Sequence, residues 1–425
     1  MARPLKKALR VYIFCILIIM AIVAVFSFNT MAADTIKIGV VDAFSGPFEY
    51  IGRYANCAIN FVVDEQNAKG GLLGKKIELL WEDGEMKPDV SVRKAKKLIL
   101  QDKVQILAGC AGSHVGIALN QVSRQYKKLT IQYAAAANEI TGKEFSPYSF
   151  RVGHIIYPYS QTYGILSAKL GLKKFYIIVM DYAGGRDYGK SFREAIKKFV
   201  PDAEIVGEVY HPIGNKDFAP YITKIVDSKP DAVVTGNWGP DFTLLVNQSR
   251  SLGMKAPFIA MFAADPTLLN VVQDAGTGNI FSEVYSVRVN TPENQEMIAK
   301  YHAKHKNDKN FDTWWPTGLI GVYICGWKMA LAAVEKAGSL DPDKIIETFE
   351  GFSYRTPVGI WTMRKCDHQA IFPMFGGKIE GGLNPYFNGS IRPDIKFPFE
   401  GPDIITFPGE TIAIPATPEY NPRCK

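Results

Sequence analysis

The chain has 425 residues, 47% hydrophobic and 12% aromatic, with 49 basic and 42 acidic residues and a formal net charge of +7. That length accommodates two domains of ordinary size, and the composition, without low-complexity tracts or long like-charge blocks, excludes a disordered or fibrous chain. So mild a charge over so long a chain argues against a nucleic-acid or membrane-surface partner.

Residues 1–33 begin with the basic MARPLKKALR, continue with 16 apolar residues, VYIFCILIIMAIVAVF, and end in SFNTMAA. This pattern predicts a cleavable secretory signal, with the mature chain starting near Ala33 or Asp34. An uncleaved anchor is the rival reading, because the apolar stretch falls just short of a membrane span. Bulky Phe14 before Cys15 argues against lipidation. Arg3, Lys6, Lys7 and Arg10 would leave with the signal and no acid would, so the mature charge is +3. Export implies an oxidising compartment, where Cys57, Cys110, Cys325, Cys366 and Cys424 could pair, two bridges leaving one odd thiol. Connectivity is not fixed by sequence. Cys366–Cys424 is favoured because it would pin a Pro-rich tail with few other anchors.

From Thr35, short β-rich runs alternate with amphipathic stretches. TIKIGVVDA (35–43) is followed by a helix over 53–71, with Ala55, Ile59 and Val62 at helical spacing and Gly70-Gly71 as its stop. KIELLWED (76–83), a helix over 88–101, VQILAGC (104–110), a helix over 113–126 and LTIQYA (129–134) complete a first half. Short connections and apolar strands predict a parallel sheet covered on both faces. The rhythm restarts near Tyr157 with KKFYIIVMD (173–181) and a helix from Gly189 to Phe199. AEIVGEVY (203–210), DAVVTGN (231–237) and FIAMFA (258–263) follow, with helices over 217–228 and 240–253 between them. The expected class is α/β, with two doubly wound, Rossmann-like lobes. A long helix runs from about Trp315 to Gly338, and after TPVGIWTMR (356–364) the chain turns irregular.

Residues 184–191, GGRDYGKS, complete the phosphate-loop pattern G-x-x-x-x-G-K-S between a strand and a helix. Asp187 within the wrap would oppose a phosphate, and the later strands end TGNW and AMFAAD, without a well-placed metal-holding Asp. A nucleotide is therefore disfavoured. What remains is Tyr188-Gly189 at a helix N-terminus beyond a strand end, where free N–H groups favour polar or anionic ligand atoms. His302 and His305 read as a solvated helix face rather than a metal site. Cys366-Asp367-His368 are adjacent, whereas triads assemble across a fold. No cofactor, metal or catalytic residue is expected.

Several stretches, in this order, resemble the type I periplasmic solute-binding proteins of the leucine/isoleucine/valine-binding family, receptors of ABC importers. They are IKIGVVDAFSGPF (36–48), INFVVDEQNAKGGLLGKKIELLWED (59–83), ILAGCAGSHVGIAL (106–119), DYAGGRDYGKSF (181–192), NQSRSLGMKAPFI (247–259) and TPVGIWTMRKCDHQ (356–369). The resemblance implies two lobes joined by three hinge crossings, near Gly153, Glu283 and Trp361, closing on a solute between them. Lobe 1 would comprise 34–153 and 284–360; lobe 2 would comprise 154–283 and, with a C-terminal extension, 361–425. It further implies an exported, monomeric, non-enzymatic protein with two partners, a small solute and a membrane permease. Contacts would come from Tyr50, Ile51, Ser113, Ala135, Ala136 and Ala137 on lobe 1, and from Tyr188, Trp238 and Phe262 on lobe 2. Ser113 could equally cap the helix it begins. Phe262 stands where amino-acid-binding members carry an acid for the α-ammonium, with Asp265 three residues on. Branched-chain amino acids and apolar or aromatic carboxylates both stay open as solutes. A sensory protein of the same fold is the alternative, and a secreted hydrolase a remoter one.

Overall fold

The computed structural model describes residues 35–381, 399–401 and 403–425; the expected signal, 1–33, lies outside the described residues. The first strand, β1 (Ile36–Asp42), is buried along almost its whole length, as a strand covered on both faces must be. It is followed by α1 (Glu49–Ala68), β2 (Ile77–Asp83), α2 (Pro88–Leu100), β3 (Ile106–Gly109), α3 (Ser113–Tyr126), β4 (Thr130–Gln132) and β5 (Ser149–Arg151). The five strands form a parallel sheet in the order β2-β1-β3-β4-β5. In that order β1 and β3 are the neighbours whose connections leave in opposite directions, which opens a crevice at their carboxyl ends.

The chain then repeats the arrangement with α4 (Ile156–Lys169), β6 (Lys174–Met180), α5 (Ala183–Phe199), β7 (Glu204–His211) and α6 (Ala219–Ser228). β8 (Ala232–Thr235), α7 (Gly239–Ser251), β9 (Phe258–Ala260), α8 (Pro266–Val272) and β10 (Ile280–Glu283) complete it. These strands run parallel in the order β7-β6-β8-β9-β10, so the second crevice lies between β6 and β8. The doubly wound two-lobe α/β architecture expected from sequence is the observed one.

Helices α9 (Pro292–His305), α10 (Gly318–Ala337) and α11 (Pro342–Phe349) return to the first lobe, where α10 packs on α1. A small antiparallel sheet follows, built from β11 (Ser353–Thr356), β12 (Gly359–Met363) and β13 (Ala370–Ile371). Next, β14 (Met374–Glu380) joins the second sheet antiparallel to β10, and it carries β15 (Phe399–Glu400) and β16 (Ile405–Phe407); α12 (Gly409–Ile412) packs on α4.

The third crossing is therefore not at Trp361. That residue pairs with Tyr354 inside the small sheet, and Gln369 still bridges Arg151 of the first sheet. The chain changes lobes only between Ile371 and Met374. Nor does the tail stay with lobe 2. After α12 it returns to lobe 1, where the Ile414 carbonyl accepts from Arg364, the Asn421 amide donates to the Thr141 carbonyl and Cys424 is bridged to Cys366. Cys57, Cys110 and Cys325 are free thiols.

At the first crossing the packing admits no side chain. A Cβ on Gly153 would stand 1.7 Å from the Tyr133 carbonyl oxygen. Buried Arg151 ties this crossing together, donating to the Ala137 carbonyl, the Thr141 hydroxyl and the Gln369 side chain.

Candidate functional site

The carboxyl ends of the two sheets face each other, and a narrow cavity lies between them. Its volume is about 40 Å³. That is well below the about 300–1,000 Å³ of ordinary ligand sites, so a solute enters only if the lobes part or the lining side chains shift. Lobe 1 supplies Ile51 from the first turn of α1, Ala111, Gly112 and Ser113 after β3, Ala134, Ala135 and Ala136 after β4, and Leu319 and Tyr323 from α10. Lobe 2 supplies Trp238 after β8 and Phe262 after β9. Among the described residues, no charged side chain lines it.

Its polarity comes from backbone. Gly112, with φ 81°, is the N-cap of α3, a left-handed conformation that glycine adopts without strain. The Val115 and Gly116 N–H groups bond the Gly112 carbonyl, which leaves the Ser113 and His114 N–H groups, with the helix dipole, as an anion-favouring end. Ser113 does not cap this helix. Its hydroxyl instead accepts from the Ala137 N–H at 3.0 Å, joining the two lobe 1 loops. Behind them Asp42 accepts from the Ala43 and Ala111 N–H groups and the Tyr133 hydroxyl, holding the β3 loop in place. Burial outweighs these bonds and raises its carboxyl above the ordinary value.

On the opposite wall, Trp238 donates from Nε1 to the Tyr182 hydroxyl at 3.0 Å and packs at a tilt against Phe48 of lobe 1, ring centres 4.3 Å apart. Gly239 beside it has φ 58°, and a Cβ there would press on the Phe48 and Tyr50 rings. Phe262 also takes a positive φ, 60°, which is strained for a bulky residue. A bond from the Asp265 N–H to the Phe262 carbonyl holds that turn.

Of the nine residues expected to contact solute, Ile51, Ser113, Ala135, Ala136, Trp238 and Phe262 meet around this cavity. Tyr50, Ala137 and Tyr188 do not line it. The Tyr50 ring lies edge-on to Tyr54, beneath Gly239. Ala137 is fully buried, engaged through its N–H with Ser113 and through its carbonyl with Arg151. Tyr188 packs behind Gly236, beside Tyr163.

The reason for the Tyr188 difference is the start of α5. The helix begins at Ala183 rather than Gly189, so GGRDYGKS is helical throughout and has no loop with which to wrap a phosphate. Tyr188 falls in the second turn and turns inward, while Tyr182, just ahead of the helix, stands against Trp238. Leu319 and Tyr323 escaped sequence reasoning altogether. They lie in GLIGVYICGW, whose nearly uninterrupted apolar character gives no sign of which residues face the cleft.

Asp265 is withdrawn from the cavity. It caps α8 through the Thr267 N–H, and burial, reinforced by nearby Asp312, pushes its carboxyl up to about 7. It belongs to a latch that spans the cleft. The Tyr54 hydroxyl reaches Asp265 and Thr267, Thr267 donates to Asp312 at 2.5 Å, and Arg53 pairs with Asp312 at 2.7 Å. At the far side of the cleft the Asn138 N–H donates to Asp187 at 2.7 Å and its amide to Ser191. With the lobes joined on both sides, the conformation is closed.

The other sequence signals are structural. Cys366 is in the disulfide, Asp367 pairs with Arg364, and His368 bonds Glu350. His302 stacks on Trp315, and His305 bonds Asp308. His154 bonds the Tyr159 hydroxyl at 2.7 Å, and burial pulls its imidazole down to about 3, so it stays neutral.

Comparison with known proteins matches this architecture. Residues 35–383 fit a family model described as periplasmic binding protein. The Leu/Ile/Val-binding protein homolog 4 of Brucella melitensis is 27% identical over 354 residues, 81% of this chain and 83% of that protein. An ABC-transporter solute-binding protein of Rhodopseudomonas palustris BisB5, solved with 3,4-dihydroxybenzoic acid, is 26% identical with a TM-score of 0.75, covering 88% of this chain and 98% of that one. A closed leucine-, isoleucine-, valine-, threonine- and alanine-binding protein of Brucella ovis is 25% identical with a TM-score of 0.77, covering 90% and 97%. A family match over most of the chain, joined to two doubly wound lobes facing across a cleft, makes this chain a member of the periplasmic binding protein family.

Proposed function

We propose that this protein is the extracytoplasmic receptor of an ABC importer and captures a small aromatic carboxylate between its lobes. It works as a monomer, after removal of its N-terminal signal, and presents the closed form to a membrane permease. It binds its solute without transforming it. The carboxylate faces the first turn of α3 and the Ser113 hydroxyl, where backbone N–H groups and the helix dipole offset its charge. Ile51, Trp238, Phe262 and Leu319 surround the ring. Closure is driven by the difference in affinity between the closed and open forms, which requires contact with both walls.

One observation carries the choice of solute: the cavity is lined by no acid, and Phe262 stands on the lobe 2 wall. An α-ammonium enclosed there would be a buried charge without a partner, which is costly. The Rhodopseudomonas neighbour solved with a dihydroxybenzoic acid supports the same reading. The Leu/Ile/Val-binding relatives favour a second one, a branched-chain amino acid. A thermal-shift screen with benzoates, branched-chain amino acids and dicarboxylates separates them, because a ligand at a hundred times its Kd stabilises by about 2.7 kcal/mol. Benzoates are expected to raise the Tm. A shift with leucine or valine and none with any benzoate overturns the proposal.

A further inference from the structure

We infer that Tyr323 reads a second polar group on the solute, and that the solute is a ring-hydroxylated aromatic acid rather than an unsubstituted one. The inference rests on the aromatic-carboxylate reading above and sharpens it.

Three side chains in the lining carry a polar atom: Ser113, Trp238 and Tyr323. Two are accounted for: Ser113 oxygen accepts from Ala137 and keeps its O–H for the carboxylate, and the single Trp238 indole N–H donates to Tyr182. The Tyr323 hydroxyl is fully buried and has no hydrogen-bond partner among the described residues. Other buried hydroxyls, Tyr50 and Tyr188 among them, also lack a partner, but among the described residues Tyr323 alone of these borders the cavity, where a group from outside the chain can reach it.

The ring is not free to find a partner by turning. Tyr133 packs edge-on against it at 5.0 Å, and His154 at 6.2 Å. The Tyr133 hydroxyl is taken by Asp42, whose other oxygen is taken by two backbone N–H groups. His154 Nε2 is also without a partner, but His154 stands behind the lining, and only Tyr323 of the two borders the cavity.

The rest of the wall is hydrocarbon or backbone. A phenolic hydroxyl on the solute would be stranded beside Ile51, Leu319 or Phe262. Opposite Tyr323 it can donate or accept, and it satisfies both hydroxyls at once. A site that bonds a substrate hydroxyl discriminates strongly against the analogue lacking it, because the protein's own group is then left unpaired.

Calorimetric titration of the purified protein with benzoate, 3- and 4-hydroxybenzoate, 3,4-dihydroxybenzoate, 4-methylbenzoate and leucine tests this. At least one hydroxylated acid is expected to bind about tenfold or more tightly than benzoate, and 4-methylbenzoate to gain nothing like it. Tyr323→Phe is expected to bring that acid to within about threefold of benzoate, by weakening the hydroxylated acid while benzoate, no longer leaving a hydroxyl unpaired, binds no more weakly than before. Equal affinity for hydroxylated and unsubstituted acids overturns the inference, as does an equal loss for every acid in the variant, which would place Tyr323 at the carboxylate. The wild-type comparison with the methyl isostere decides the matter even if the variant does not fold. Binding of leucine with no benzoate at all is a different result, since it removes the function proposed above rather than the role of Tyr323 alone.

Discussion

Asp265 shows how a single residue can appear available for the solute yet serve the lobes instead. Three positions after Phe262, it could have supplied the acid that Phe262 lacks. Its carboxylate faces the N-terminus of α8 and the Tyr54 hydroxyl across the cleft. Burial holds its folded-state value at about 7, against 3.8 ordinarily. With the folded value raised, its contribution to stability is complete below about pH 4 and is lost as the pH rises through 7. The difference corresponds to about 4 kcal/mol between these limits. Asp265→Asn keeps the cap, since Asn serves that position as well as Asp, and removes the titration. The Tm advantage of the variant over the parent is therefore expected to grow between about pH 5 and pH 8. Parallel Tm curves over that range would show that Asp265 does not titrate there.

At the scale of elements, two helices mark the limits of local pattern. The stretch Phe311–Ala337 is long and apolar enough to cross a membrane, with mean hydropathy 1.5, yet 83% of its most apolar window is buried inside the lobe against α1 and the small sheet. Its apolar character expresses burial on every side, which hid Leu319 and Tyr323 from any reading of helix faces. For α5 the expected start was six residues late, because Gly184 and Gly185 read as loop. Gly185 in fact lets the first turn pass close to the Met180 carbonyl, where a Cβ would stand 1.9 Å away. A helix turns 100° per residue, so its true start decides which side chain meets the cleft. The tail is the other element that needed tertiary contacts. The Cys366–Cys424 bridge closes a loop of 58 residues, for which chain entropy gives about 4 kcal/mol. Replacing both cysteines by serine is expected to lower denaturant stability by a large part of that amount; an unchanged midpoint would show that the tail is held by its contacts to Arg364 and Thr141 without the bridge.

The whole molecule works as two sheets that face each other at their carboxyl ends, joined at the Phe48–Trp238 ring contact, at the Tyr54–Thr267–Asp312 latch and at Asn138–Asp187. These contacts exist only when the lobes meet, so the closed form is favoured by protein–protein bonds as well as by solute. Small-angle scattering is expected to give a smaller radius of gyration with a saturating solute than without. Superimposable curves for the two states would remove lobe closure from the mechanism. The tail crosses back from lobe 2 and is bridged to lobe 1, so it spans the same gap as the hinge strands and limits how far the lobes can part.

The sequence alone determined the layered α/β class, the repeat of strand and helix in each lobe, and the loops at strand ends from which a site must be built. Those features follow from short-range causes: apolar runs of strand length, amphipathic runs of helix length, and glycine where the backbone turns. It also placed Trp238 and Phe262 just beyond strand ends, where a side chain has few other places to point, while Ser113 came only from the family resemblance. Tertiary structure alone decided that Tyr188 turns inward, that Tyr323 comes forward from a helix over a hundred residues downstream, and that the third crossing lies beyond Ile371 rather than at Trp361. Each of these depends on which distant surfaces meet, and packing between residues far apart in the chain leaves no periodic mark on the residues themselves.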